Sequence, residues 1–215
     1  MKAEVNGTTI ELTPNSKPYL LKRILADGLD TVLLFGLFML FTMLVLKTPL
    51  ADVYHSHFDR YSAIEKETAE ALGNDAEAVS AALNSNDEYK NERFAANLHS
   101  YLLKALACFI AEVIVLLIVP LVSRDRATPG KLLCGVLLFN ERKMTRALWY
   151  QIVFRFLFIF LFDSLGLYLL TGVLTFLLVP VIRLIEMLLN KKNKTICDYM
   201  TGVLVIEKLS YDGIN

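Results

Sequence analysis

Cysteine is scarce in this 215-residue chain, and no metal-ligand spacing joins Cys108, Cys134 and Cys197. Cys108 lies in an apolar run and the other two lie in segments that read as cytoplasmic, so no disulfide framework is expected. Proline is absent between positions 50 and 119, which leaves nothing to break a helix across that stretch. Net charge is missing too: 22 basic and 22 acidic residues cancel, and no nucleic-acid partner is expected. No cleavable signal is apparent, because the first apolar run is too long for one and starts late. The chain shows no nucleophile with a positioned base, no cofactor motif and no metal spacing, so neither an enzyme nor a bound cofactor or metal is expected. Gly130-Lys131 does not make a phosphate loop, since the upstream glycine is missing and the pair follows a helix rather than a strand. His55 and His57 diverge by about 200° on a helix, which argues against a shared metal.

What the chain has in abundance is apolar side chains, 55% of the total, gathered in long uncharged runs. Such a composition reads as a polytopic membrane protein rather than a soluble globule. The first run, Leu21–Leu46, carries Arg23, Asp27 and Asp30 at its mouth. Lipid offers a carboxylate no partner, so an acid inside a span is costly and marks function or pairing. Asp30 follows Arg23 by two helical turns, on nearly the same face and about 10 Å deeper. Asp27, one turn from Arg23, is its more accessible ion-pair partner. Ahead of this span, Val5-Asn6-Gly7-Thr8 holds the Asn-Gly pair of a tight hairpin, with Thr9–Leu12 as a short strand or a frayed tail.

Residues 48–100 form a soluble insertion with a net charge of −6, which suits the outer face. Its alanine and glutamate content predicts helices, broken at Gly73-Asn74 and at 84–86, with Asp75 and Asp87 as N-caps. The last of these helices is expected to run on into a second span, Tyr101–Val122, with Glu112 at its centre and a kink at Pro120. The loop 123–149 carries a net charge of +4, which places it inside. There Thr128 reads as the cap of a short helix begun by Pro129, and Val136–Phe139 as a strand.

The apolar stretch 149–190 holds Arg155, Asp163, Arg183 and Glu186 and is about twice too long for one span. Two spans fit, with an outer turn between Asp163–Gly166 and Thr171-Gly172. Two spans also return the basic Lys191–Lys194 to the inside. Arg155 and Arg183 then lie near the inner surface, within reach of Glu186 or Asp30. Thr195–Thr201 reads as a second short capped helix, with Asp198 at capping-box spacing, and Gly202–Ile206 as a second strand.

The two halves echo each other. Arg23 then Asp30 recurs as Arg155 then Asp163, and Val119-Pro120 recurs as Val179-Pro180. Thr128–Phe139 aligns without gaps on Thr195–Ile206, each with Gly-Val-Leu seven residues after the threonine. The expected fold is therefore an all-α membrane protein of four transmembrane helices, built as two parallel helical-hairpin repeats with short cytoplasmic helices and a small strand pair. Its parts are a cytoplasmic segment 1–20, a membrane domain 21–46 with 101–207, the outer insertion 47–100 and a tail 208–215. The two strands are expected to pair with each other, since neither is stable alone.

These residues resemble the RDD family of small bacterial membrane proteins. Arg23, Ala26 and Asp30 are similar to the family's first-helix pattern. Thr128, Pro129, Gly130, Lys131 and Gly135 are similar to its inner loop. Near the C-terminus Cys197-Asp198 stands where the family has His-Asp, and Thr201-Gly202 where it has Gly-Thr. The resemblance supports the fold and implies a place in the bacterial inner membrane and a suggested transport role, while the basic flanks and loops put both termini on the cytoplasmic side.

Six residues stand out as an ion or proton site, or as a buried charge network: Arg23, Asp30, Glu112, Arg155, Asp163 and Asp198. Two readings stay open. In one, the acids lie between the repeats and exchange a monovalent cation for protons, in a carrier that is a homodimer, four spans being a thin scaffold for a pathway. In the other, the Arg–Asp pairs are structural locks, and the acidic insertion binds a partner.

Overall fold

The computed structural model describes the backbone of residues 2–5, 8–11, 17–73, 75–140, 143, 145–166, 178–189 and 194–207. Side chains are described for 20–73, 75–140, 143, 145–162, 181–189 and 194–206. The chain divides into two compact units, 1–37 with 109–215, and 38–108.

In the first unit, strands β1 (Lys2–Val5) and β2 (Thr8–Glu11) pair antiparallel with Val5 opposite Thr8. The tight hairpin expected at Asn6-Gly7 lies outside the described residues. Helix α1 (Lys17–Val45) follows and leads into the second unit. Its 29 residues make it about 43 Å long, more than the apolar thickness of a bilayer. Leu25, Leu29, Val32, Phe35 and Leu40 are exposed along it, an apolar surface that water does not tolerate on this scale.

The second unit holds α2 (Asp52–Ala71), α3 (Ala76–Ser85) and most of α4 (Asp87–Glu112). Val45, Ala51 and Leu103 form a small core there, with Leu46 and Tyr54 packed on it. Asp75 caps α3 as expected, accepting from the backbone N–H of Glu77 and Ala78. The cap of α4 is Asn86 rather than Asp87. Asn86 sits in extended backbone and accepts from the Tyr89 N–H at 3.1 Å, while Asp87 is already inside the first turn and pairs with Lys90. Asp75→Ala is expected to remove about 1 kcal/mol from α3. Hydrogen exchange in 76–85 should quicken while exchange in α2 stays unchanged.

In the first unit α4 continues as a π-helical segment, Val113–Ile118, and then as α5 (Val119–Val122). The wider turns precede Pro120, which has no N–H to donate and crowds the carbonyl one turn before it. Leu20–Val45 and Asp87–Val122 are both long and apolar enough to cross a membrane. Trp149–Phe162 is a shorter apolar helix. It comprises α7 (Trp149–Phe158) and the start of a second π-helical segment, Ile159–Gly166. The backbone is thus helical through Asp163–Gly166, the start of the stretch expected to hold the outer turn. The rest of that stretch, through Thr171-Gly172, lies outside the described residues. Helix α8 (Leu178–Leu189) is apolar.

Two short helices each lead into a strand. Helix α6 (Pro129–Leu133) precedes β3 (Val136–Asn140), and α9 (Ile196–Thr201) precedes β5 (Val203–Glu207). Gly135 and Gly202 stand at the two matching joints with φ of +67° and +63°. A side chain there meets its own carbonyl at a cost of about 1–2 kcal/mol, which is why both halves carry Gly-Val-Leu at this point. Strands β3 and β5 pair as expected, and the pairing is antiparallel, with Leu138 opposite Val205 at the centre. The repeat alignment sets those same two residues on each other, so the ladder has the register that a two-fold relation between the halves requires. The sheet has a third strand rather than a pair alone. Thr145–Arg146 (β4) adds to the other edge of β3, and two residues are too few for a sequence pattern to reveal. One face of the sheet packs Val136, Leu138, Val203 and Val205 on Ala26 of α1 and on Ala147.

Candidate functional site

Ala26 is the small residue that lets the sheet and α6 come close to α1. Gly130 approaches so nearly that a Cβ on it would stand 2.2 Å from the Ala26 carbonyl oxygen and 2.9 Å from Asp30 Oδ1. At that distance Asp30 does the work expected of Thr128. Thr128 is the N-cap of α6 by position, but its side chain makes no cap hydrogen bond, and its hydroxyl donates to Asp30 Oδ2 instead. Asp30 Oδ1 accepts the Gly130 N–H at 2.7 Å. A carboxylate from one helix thus caps another, in accord with the positive end of the short helix. Lys131 completes the contact, with Nζ 2.6 Å from Asp27 Oδ1 and 3.4 Å from Asp30 Oδ2.

The second half is built with the signs reversed. Asp198 occupies the position in α9 that Lys131 occupies in α6. It forms the capping box with Thr195: its N–H donates to Thr195 Oγ1 at 3.2 Å, and its Oδ2 accepts the Thr195 N–H at 3.0 Å. Arg155 of α7 donates to Oδ1 of the same carboxylate, and Arg23 of α1 donates to Oδ2. Asp198 is fully buried, and it lies on a short helix outside the apolar spans. Burial alone would push its carboxyl up. Arg155 and Arg23 outweigh burial and hold it well below the ordinary carboxylate range.

Of the partners expected for Arg23, namely Asp27, Asp30 or an acid on a neighbouring helix, the structure shows the last, Asp198, while Asp27 and Asp30 go to Lys131. Helical side chains lean toward the N-terminus, so Arg23 reaches away from Asp30, towards α9. Arg23 is bonded 175 residues downstream, and Asp30 about as far as α6 lies in sequence. Arg155, expected to bridge to Glu186 or Asp30, goes to Asp198. Glu186 Oε2 instead accepts the Ile196 N–H at the start of α9, at 3.2 Å.

The structure thus brings Arg23, Asp30, Arg155 and Asp198 into one buried cluster, together with Asp27 and Lys131. Three cations meet three carboxylates there. Glu112 is buried at the end of α4, directly before the π-helical segment. The Asp163 backbone is helical, and its side chain lies outside those described. Reasoning from sequence missed Lys131, Thr128 and the Gly130 N–H as partners of Asp30. The repeat alignment carried a usable signal, since it sets a lysine on an aspartate, each opposite a span bearing the other sign.

Gln151 ties the same region together, accepting the Leu148 N–H at 3.0 Å and donating to the Thr201 carbonyl at 2.9 Å. Burial pushes the Cys134 thiol up, and Asp30 adds to the effect, so this cysteine is no ready nucleophile. His55 and His57 do not converge. His55 meets the Leu46 carbonyl, while His57 pairs with Glu92 at 2.5 Å and stacks on His99.

No curated protein and no solved structure matches this chain. The sequence profile of the RDD family matches residues 17–202, which takes in both long apolar helices and every member of the charge cluster. Two long apolar helices, a small sheet and that match make this a membrane-associated protein, and the chain belongs to the RDD family.

Proposed function

We propose that the chain is a four-span protein of the bacterial inner membrane, two hairpin repeats with both termini cytoplasmic, acting as a non-transporting assembly or accessory component. In this reading the buried charges are a permanent lock between the halves, and the acidic outer insertion is the surface offered to a partner. The observation that carries it is Asp198, held at once by Arg23 from the first half and Arg155 from the second. Asp27 and Asp30 are likewise engaged by Lys131. A cation entering from water would have to displace a tethered guanidinium or ammonium from each carboxylate. Leaving such a charge buried and unpartnered costs about 3–5 kcal/mol.

A second reading rests on Glu112. It is buried at 1% exposure inside an apolar span and directly precedes a π-helical segment, a backbone feature frequent at functional sites. In that reading the protein is a homodimeric carrier exchanging a monovalent cation for protons. Vesicles reconstituted with the full chain and loaded with a pH-sensitive dye separate the two. Sodium, potassium or lithium pulses are expected to give no internal pH change beyond that of empty vesicles. A cation-driven pH change that disappears in Glu112→Gln would overturn the lock reading and install the carrier.

A further inference from the structure

Among the described residues a cavity of about 280 Å³, lined in part by α9, is left unexplained by the charge cluster. Asn140 and Lys143 line one wall, Tyr150 and Gln151 of the first turn of α7 another, and Tyr199 and Thr201 of α9 a third. We infer that this cavity binds the phosphate headgroup of an anionic glycerophospholipid.

The chemistry selects an anion. Lys143 is exposed and brings an ammonium, the two tyrosines bring hydroxyls, and the first turn of α7 brings the positive end of a helix. Lys194 stands over the Tyr199 ring at 5.2 Å. The neighbouring acid on α9, Asp198, is turned away into its two arginines.

The fold alone does not dictate this lining. At the matching positions of the other half, Leu132 stands for Tyr199, Leu133 for Met200 and Cys134 for Thr201. Polar side chains were placed here in one half and not in its counterpart.

The surroundings select a lipid over a soluble anion. Ile196, Tyr199 and Met200 recur at i, i+3 and i+4 on α9, and all three are exposed. A short helix with such a face lies at the boundary between headgroups and acyl chains. Trp149 and Tyr150 pack edge to face beside the cavity, the residue types that settle at that level. The cavity has room for about nine waters, enough for a headgroup and too little for acyl chains, which would run along Met200.

The test uses the full chain in nanodiscs of phosphatidylcholine, with or without phosphatidylglycerol, and counts retained lipid by native mass spectrometry during delipidation. Wild type is expected to keep phosphatidylglycerol in preference to phosphatidylcholine. Lys143→Glu and Tyr199→Leu, the latter copying the other half, are each expected to cut that preference about tenfold, the effect of losing one charge-assisted hydrogen bond. Lys143→Gln provides the same reading should Tyr199→Leu disturb α9, because Lys143 is exposed. Unchanged retention in both Lys143 variants would overturn the inference. So would soluble glycerol phosphate displacing phosphatidylglycerol at equal concentration, which would mark a site for a free anion. The outcome does not depend on whether the protein transports or assembles.

Discussion

Asp198→Ala is expected to remove about 3–5 kcal/mol of stability, because it leaves two guanidinium groups buried without their carboxylate. That is a large share of the about 5–15 kcal/mol by which folded domains exceed their unfolded state. The same change also removes the capping box of α9, which contributes about 1 kcal/mol more. The measurement is thermal or denaturant unfolding in detergent or nanodiscs, read against wild type. Replacing Arg23, Arg155 and Asp198 together by methionine or leucine is expected to restore most of the loss, since an apolar trio of similar volume carries no buried charge. A triple variant as unstable as Asp198→Ala would show that the cap, not the ionic contact, dominates.

The pH dependence has a definite sign. The folded-state carboxyl of Asp198 lies below its unfolded value of about 3.9, so the lock contributes in full above that pH and is lost as the pH falls below it. The difference in melting temperature between wild type and Asp198→Asn is therefore expected to stay flat from about pH 8 to 5 and to shrink below about 4. A difference that changed near neutral pH would mean that another group titrates in contact with the cluster.

Much of this was legible from sequence, for local reasons. The Thr195–Asp198 box depends on residues three apart, and Gly135 and Gly202 mark turns that glycine makes more easily than other residues. The strands read correctly because short apolar runs bounded by glycine suit a sheet buried on both faces, and their pairing followed because neither strand is stable alone. The presence of buried acids was legible because lipid offers them nothing. Their partners were not, since Asp30 meets α6 and Arg23 meets α9 only once two short helices have docked on α1. Spacing on one helix pointed to Arg23–Asp30, and side-chain direction, which a linear pattern does not carry, decided otherwise. β4 escaped notice because it is held by two rungs to β3 and by no pattern of its own.

The docking of α6 makes the sharpest single test. In Gly130→Ala the new methyl would stand 2.2 Å from a backbone carbonyl of α1, which has no rotamer to escape into. Helix α6 must move outward, and the Gly130 N–H, the Thr128 hydroxyl and the Lys131 ammonium then retreat together from Asp30. Overpacking costs about 1–3 kcal/mol and each weakened hydrogen bond to a carboxylate about 1.5–3, so a loss of at least about 3 kcal/mol is expected. Gly135→Ala, with φ of +67° but nothing within 4 Å of its Cβ, is expected to lose only about 1–2 kcal/mol. Gly28→Ala on α1, with open space around it, should be neutral or slightly stabilising, because alanine suits a helix better than glycine by about 0.5–1 kcal/mol. The order Gly130, then Gly135, then Gly28 in unfolding midpoint loss follows from close contact at the first, backbone strain at the second and helix propensity at the third. If Gly130→Ala proved as mild as Gly135→Ala, α6 would not be seated on α1, and Asp30 would have to find its partners elsewhere.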